Sequence, residues 1–145
     1  MTVVTQTVAR LLLLPTLMAA MAILVKGYSD TGDGFSAGVV AAFAVLLQYV
    51  AFGYRDVARY LPVHLAPAVT FVGLLLSFLV VFGPGLWGTP PVTHFPPPGA
   101  EVIHLGTLEL HSALLFDVGV FLLVLGFTVH TMSTIAHAAE AQQSR

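Results

Sequence analysis

The 145 residues of this chain are 57% hydrophobic and only 8% charged, with a mean hydropathy of +0.93. A soluble domain has about a quarter of its residues charged, so this composition excludes a water-facing globular surface and indicates an integral membrane protein. The net charge of −2 argues against a nucleic-acid partner, and the absence of cysteine excludes disulfides, thiolate metal sites and cysteine nucleophiles.

Four long apolar segments predict four transmembrane helices, at about residues 8–26, 35–54, 63–83 and 110–132. About 20 apolar residues are enough for one helical crossing of the hydrocarbon core. The segments lack the alternation of apolar and polar residues that membrane barrel strands show. The predicted fold class is therefore all-α, an integral membrane bundle of four helices that forms one domain over residues 1–145.

The first segment has some features of a secretory signal peptide, because Arg10 precedes an apolar run rich in small residues. The small residues lie inside the run, however, and Lys26 follows it without a convincing cleavage site. We therefore expect a retained helix. Pro15 should kink this helix, or lie in its first turn if the helix starts late.

The distribution of basic residues predicts the orientation. With the N-terminus inside, four arginines are cytoplasmic and one lysine is outside, which is the usual positive-inside bias. These residues are Arg10, Arg55, Arg59 and Arg145 inside, and Lys26 outside. Both termini are then cytoplasmic.

Two connections differ in length and composition. The short link at residues 54–62 is predicted to face the cytoplasm, and the long loop at residues 83–110 to lie outside. Proline and glycine are so dense over residues 82–99 that we expect no regular helix there.

A glycine-rich turn with small residues leads into the second helix. Gly34, Gly38 and Ala42 recur every four residues, which allows close backbone approach by another helix. That helix belongs either to this chain or to a partner protein. In the turn around Gly32, Asp30 and Asp33 are expected to cap the second helix by accepting hydrogen bonds from its free N–H groups.

Three further polar residues lie in or beside the spans. Gln48 in the second helix is expected to form an interhelical hydrogen bond. Lys26 at the end of the first helix either contributes to an ion path or extends its side chain to the membrane surface. Glu109 stands at the outer mouth of the fourth segment, where it either begins a proton path or is simply solvated.

Asp117 lies inside the fourth apolar segment, about 10 Å below its outer end at the helical rise. An acidic residue within a span costs about 3 kcal/mol on insertion scales, so it normally faces protein or water. Two interpretations stand side by side: an ion or proton path, or a hydrogen-bonded carboxyl group that holds helices together. On helical geometry Glu109 roughly shares its face, and Gly119 beside it allows close approach by a neighbouring helix.

Neither an enzyme motif nor a cofactor motif is present. The chain has no His-Glu-x-x-His, no phosphate-binding glycine loop with lysine, no nucleophile elbow and no c-type haem motif. Its six histidines do not form convincing pairs at matching depth, which argues against a haem with two histidine ligands. We expect a protein that is not an enzyme and that holds neither a cofactor nor a metal ion.

Two stretches resemble a known family. The run Gly32-Asp33-Gly34-Phe35-Ser36-Ala37-Gly38 and the helix after it resemble the B-type component of multisubunit cation/proton antiporters, called Mrp or Mnh. The run Leu115-Phe116-Asp117-Val118-Gly119-Val120 is similar to the Leu-Phe-Asp-x-Gly-Val signature of the same family. The likeness covers nearly the whole chain and is strongest to the B-like portion that many such systems fuse to their large A-type component.

The turn departs from the family pattern His-Asn-x-Pro-Gly-Gly-Gly-Phe. Thr31 stands in place of proline, Asp33 in place of a glycine, and Tyr28-Ser29 in place of the histidine. Any role of that histidine therefore does not transfer to this chain.

The resemblance implies a small subunit of a complex that exchanges Na⁺ or another monovalent cation for protons. Its implied partners are large subunits that resemble respiratory complex I components and other small membrane subunits, in the plasma membrane of a prokaryote. It also implies that any ion-related role falls on Asp117. The alternatives are a non-catalytic membrane subunit of a redox-driven complex, such as a membrane-bound hydrogenase, and a small autonomous transporter.

Overall fold

The computed structural model describes residues 2–26, 32–86, 88, 104–105, 108–109 and 112–143. Five α-helices lie in this part of the chain, and a 3₁₀ turn at Val63–Leu65 precedes the fourth. The helices are α1 (Val3–Lys26), α2 (Asp33–Phe52), α3 (Tyr54–Tyr60), α4 (Ala66–Leu86) and α5 (Ser112–Gln143). Two short antiparallel strands, β1 (His104–Leu105) and β2 (Leu108–Glu109), pair between α4 and α5.

The all-α prediction with four spans is confirmed. Helices α1, α2 and α5, and the helical segment Val63–Leu86, are each long and apolar enough to cross a membrane. The chain is therefore a multi-pass membrane protein. Helix α1 begins at Val3, five residues before its predicted start. Three further differences concern the links and the ends of the other helices.

The first difference is that the link at residues 54–62 contains a helix. Gly53 has a φ of 81°, a left-handed conformation that glycine adopts without strain, so the chain turns sharply after α2 and helix resumes at Tyr54. Only Val57 of α3 is buried, while its charged residues are exposed.

The second difference concerns the start of the proline- and glycine-rich region. The expectation that this region excludes helix is wrong for its first residues, because α4 continues through Gly83, Pro84 and Gly85 to Leu86. In hydrocarbon an irregular backbone leaves polar groups unpaired, which favours helix even for residues that break helices in water. Apart from Gly88 and the two strands, the rest of this loop lies outside the described residues.

The third difference is the length of α5, which begins at Ser112 and ends at Gln143. The predicted span ends at residue 132 because hydropathy falls there. The following residues are rich in alanine, the best helix former, so the helix continues although the sequence is no longer apolar enough for a span.

The four long helices pack as a row rather than as a closed bundle. In the described residues α1 packs on α2, α2 on α5, and α5 on α4, whereas α4 has no close backbone contact with α1 or α2. Consequently 44% of the residues in the α2 span are buried, compared with 17% of those in the α1 span and 11% of those in the span that ends with α4. The core between the first three helices of the row is formed by Ala20, Leu24, Ala37, Ala41 and Phe121.

Along the helix axes, the four packed helices have two chemically different ends. At one end, the arginine end, the Arg10 guanidinium lies 5.1 Å from the centre of the Phe52 ring, and Arg55 pairs with Glu140 at 3.4 Å. At the other end, the aspartate end, α1 finishes, α2 starts, and Asp117 lies in the first turns of α5.

Candidate functional site

Asp117 is buried and joined to the start of another helix. Its side chain lies on α5 and is 3% exposed. Its Oδ2 accepts a hydrogen bond from the Gly32 backbone N–H at 3.1 Å. Gly32 is the residue before α2 and has a φ of 116°, which favours glycine because it has no Cβ. The carboxyl group of one helix thus occupies the N-terminus of another.

This arrangement suits a negative charge. The first N–H groups of a helix lack partners within that helix and carry the positive end of the helix dipole. A buried carboxylate placed there receives a charge-assisted hydrogen bond, which is stronger than a neutral one. The geometry therefore gives Asp117 a defined structural partner, as the second interpretation of the sequence required.

Asp33 does not cap α2. The N-cap residue is Gly32, which has no side chain, and the side chain of Asp33 forms no cap hydrogen bond. The expectation for Asp33 is wrong because the helix already includes it as its first residue, so its backbone is helical. Its charge still lies in the first turn, where it interacts favourably with the dipole. Asp30, the other proposed cap, lies outside the described residues.

The small residues of α2 pack against α5 of the same chain. A Cβ at Gly34 would overlap the backbone carbonyl oxygen of Asp117. A Cβ at Gly38, one turn later, would lie 3.0 Å from Val124 Cβ and 3.1 Å from the Phe121 carbonyl oxygen. Ala42 continues the stripe and is buried. Of the two interpretations left open by the sequence, the structure shows the intrachain one.

A second glycine contact joins α5 to α4. A Cβ at Gly119 would lie 2.5 Å from Ser77 Oγ and 3.1 Å from the Gly73 carbonyl oxygen. A Cβ at Gly126, two turns later, would lie 2.6 Å from the Thr70 backbone nitrogen. Helix α5 therefore lies in the row between two close contacts, with α2 on one side and α4 on the other.

Of the three ion-path candidates, the structure describes the side chains of Asp117 and Lys26, and these two do not form an ion pair with each other. Glu109 belongs to β2, and α5 begins only at Ser112, so the expectation that Glu109 and Asp117 share a helical face is wrong. Lys26 is the last residue of α1 and is exposed. Among the described residues it forms no ion pair, since the one pair seen there joins Arg55 and Glu140.

Gln48 links α1 and α2 inside the membrane. Its Nε2 donates a hydrogen bond to the Ala9 carbonyl oxygen at 2.7 Å, and the side chain is 5% exposed. Closer to the arginine end, Gln6 donates to the Ala51 carbonyl oxygen at 3.3 Å. The interhelical hydrogen bond expected for Gln48 is present.

Sequence reasoning missed the contacts of the end of α5. Glu140 Oε1 accepts a hydrogen bond from the Tyr54 backbone N–H at 3.0 Å, and Oε2 lies 3.4 Å from Arg55 Nε. The rings of Tyr54 and His137 meet edge to face with centres 5.0 Å apart. The signal in the sequence was the glutamate–histidine spacing of three residues, which places both on one face of a continued helix.

Within the described part of the chain no group of three or more His, Cys, Asp or Glu side chains is arranged to hold a metal ion. Among the described residues, the chemistry at the aspartate end is that of one buried carboxyl group, the backbone of α2 and two tight helix contacts.

Comparison with known proteins decides the family. A family model described as a domain related to the MnhB subunit of Na⁺/H⁺ antiporters matches residues 4–130. The chain belongs to the MnhB family. The resemblance seen in the sequence is thereby confirmed. The matched residues include all four spans up to the middle of α5, and residues 131–143, with Glu140, lie beyond them.

Relatives in this family include separate B-type subunits of similar length. The B-type subunit of the Na⁺/H⁺ antiporter of Alkalihalophilus pseudofirmus is 31% identical over 134 residues, which cover 92% of each chain. Its counterpart in the Na⁺/H⁺ antiporter of Bacillus subtilis is 32% identical over 134 residues, which cover 90% of each chain.

One relative contains the MnhB domain in a much longer chain. It is the combined A/B-type subunit of a probable K⁺/H⁺ antiporter of Rhizobium meliloti, 35% identical over 120 residues, which are 83% of this chain and 12% of the relative. The domain thus occurs both as a separate chain and as part of a larger protein.

Proposed function

We propose that this chain is the B-type membrane subunit of a multisubunit antiporter that exchanges a monovalent cation for protons. The observation that carries the proposal is the match, over 92% of both chains, to a protein named as the B-type subunit of a Na⁺/H⁺ antiporter. The Rhizobium meliloti relative is named for K⁺, so the substrate class is the monovalent cations, with Na⁺ first. The chain acts as a transporter component and not as an enzyme.

The row of helices supports a role within a larger assembly. Helices α1 and α4 each pack along one side only, and their remaining faces carry exposed apolar side chains such as Leu14, Met18, Phe71 and Phe78. Exposed apolar faces inside a membrane contact lipid or other membrane proteins. The partners are other subunits of the antiporter, both large ones resembling complex I components and small ones.

The orientation follows from the charges at the two ends. Arg10 and Arg55 lie at the arginine end, and Lys26 ends α1 at the aspartate end. The positive-inside rule places the arginine end in the cytoplasm, together with both termini, and the long loop before α5 outside. The relatives are bacterial, which supports the plasma membrane of a prokaryote.

Asp117 acts as an anchor of α2. Its carboxylate holds the Gly32 N–H at the point where α2 starts, and Gly34 packs on its backbone. Exchange of ions therefore depends on Asp117 through the position of α2. Lys26 and Glu109 keep the roles in an ion path that the sequence suggested.

The test is antiport in everted membrane vesicles from a host that lacks its own Na⁺/H⁺ antiporters. The host expresses all other subunits of the complex, with or without this chain, and the dequenching of a pH-sensitive dye on addition of Na⁺, K⁺ or Li⁺ measures exchange. We expect exchange only when the chain is present. Full exchange in its absence would contradict the proposed function.

The anchor role has its own comparison in the same assay. Asp117→Asn keeps a carbonyl oxygen that can accept the Gly32 hydrogen bond, whereas Asp117→Ala does not. We expect the asparagine variant to retain much of the exchange and the alanine variant to lose complex assembly. If the asparagine variant assembles normally but has no exchange, the carboxylate itself serves ions and the anchor role is wrong.

A further inference from the structure

A cleft of about 320 Å³ opens at the arginine end, between α1, α2 and α3. Its apolar wall consists of Leu13, Phe52, Val57 and Leu61, and Tyr60 stands at its edge. Gln48 lies deepest among its lining residues, with its amide nitrogen occupied by the Ala9 carbonyl oxygen. The cleft is separate from the Asp117 contact, which lies at the other end of the row.

Two opposite charges line this cleft without neutralising each other. Arg10 of α1 and Asp56 of α3 both line it, and both are exposed. Neither side chain takes part in an ion pair within the described residues, where Arg55 and Glu140 form the pair that is seen. The Arg10 guanidinium is instead held over the Phe52 ring, 5.1 Å from its centre.

The position of Arg10 inside α1, rather than before it, makes its unpaired charge informative. It lies seven residues after the first residue of α1, which is about 10 Å along the helix axis. An arginine within the membrane-spanning helix is costly unless an anion or the headgroup layer compensates it. No carboxylate of the described residues forms an ion pair with it.

From these observations we infer that the cleft binds the headgroup of a phospholipid with an ethanolamine group, in the leaflet at the arginine end. The lipid phosphate pairs with Arg10, its primary ammonium pairs with Asp56, and the upper part of an acyl chain lies along the apolar wall. A guanidinium is well matched to phosphate oxygens, and an ammonium supplies N–H donors to a carboxylate.

The pair of charges decides between the common lipid headgroups. A phosphatidylglycerol headgroup satisfies Arg10 but offers Asp56 no cation. A phosphatidylcholine headgroup carries a positive charge but has no N–H group to donate to the carboxylate. Phosphatidylethanolamine alone among the three matches both side chains.

The test is native mass spectrometry of the full chain in detergent, with phosphatidylethanolamine, phosphatidylglycerol or phosphatidylcholine of the same acyl chains added in turn. We expect the wild-type chain to retain phosphatidylethanolamine best. Arg10→Gln should lower retention of all three lipids, and of phosphatidylethanolamine by at least about tenfold, the effect of losing one hydrogen bond between a guanidinium and a phosphate. Asp56→Asn should remove the preference for phosphatidylethanolamine over the other two.

Arg59→Gln is the matched control for Arg10→Gln, because it removes the same charge. Arg59 is exposed on α3, the helix of Asp56, but does not line the cleft. The control should leave lipid retention unchanged, and circular dichroism should show the same helix content for all variants. Equal retention of the three lipids by the wild-type chain, or equal effects of Arg59→Gln and Arg10→Gln, would overturn the proposal. Retention by the isolated chain but not by the assembled complex would also overturn it, by showing that another protein of the complex covers the cleft.

Discussion

The contact between α4 and α5 depends on glycine at one position of α4 and not at another. A Cβ at Gly73 would overlap the Leu123 backbone nitrogen and lie 2.6 Å from the Gly119 carbonyl oxygen. Both are backbone atoms of α5, so they move only if the whole helix moves. A Cβ at Gly83, in the same helix, meets no atom within 4 Å among the described residues outside its own turns of helix.

Gly73→Ala and Gly83→Ala are therefore the same chemical change with opposite expected results. At Gly73 the overlap costs about 1–3 kcal/mol, as overpacking of a tight contact does. Alanine is favoured over glycine inside a helix by about 0.8–1.0 kcal/mol, which offsets part of that cost. We expect Gly73→Ala to lower the free energy of unfolding by up to about 2 kcal/mol and Gly83→Ala to leave it unchanged or to raise it slightly.

The assay is equilibrium unfolding of the purified chain in mixed micelles with increasing sodium dodecyl sulfate, followed by near-ultraviolet circular dichroism. Helical content by far-ultraviolet circular dichroism serves as the check that the substitutions change packing and not the helices themselves. Equal unfolding midpoints for Gly73→Ala and Gly83→Ala would refute the close packing of α4 on α5.

Substitutions at four other positions test individual contacts. Asp117→Ala should lower the free energy of unfolding in the same assay by about 1.5–3 kcal/mol, the value of a hydrogen bond to a charged group, with Asp117→Asn between it and the wild type. Gln48→Leu should lower it by about 0.6–1.7 kcal/mol through loss of the interhelical hydrogen bond to Ala9, and an unchanged free energy would contradict a role of this bond in stability. Glu140→Ala should cost no more than about 1 kcal/mol, because its ion pair with Arg55 is at the surface, but should speed amide exchange at Tyr54 in a hydrogen-exchange measurement. Gly38→Leu should prevent recovery of the assembled complex by affinity purification, and unchanged recovery would remove the close packing of α2 on α5.

Much of the fold was accessible from the sequence because lipid imposes one strong rule, that a span of about 20 apolar residues must be helical. The positions of the four spans followed directly from this rule. The end of α5 did not follow from this rule, because its last turns are stabilised by the helix propensity of alanine and by the contacts of Glu140 rather than by lipid. The row arrangement was also beyond reach, because helical periodicity shows which residues are small but not how many neighbours a helix has.

The candidate site was predictable in its residues but not in its connections. Asp117 stood out because a carboxyl group inside a span is costly, and Gly34 because small residues repeat every four positions. That Asp117 meets Gly32 could not be read from the sequence, since the two residues are far apart in the chain and join only when α5 packs on α2. The close contact at Gly126 could have been predicted from the sequence, because Gly126 follows Gly119 by seven residues on the same helix face.

The most direct test of the proposed function is affinity purification of this chain from its native membrane in a mild detergent, with mass spectrometry of the proteins that accompany it. The proposed function predicts recovery of antiporter subunits, including large ones that resemble complex I components. Recovery of hydrogenase or iron–sulfur proteins would contradict it, and so would recovery of the chain alone under conditions that preserve a known membrane complex from the same cells.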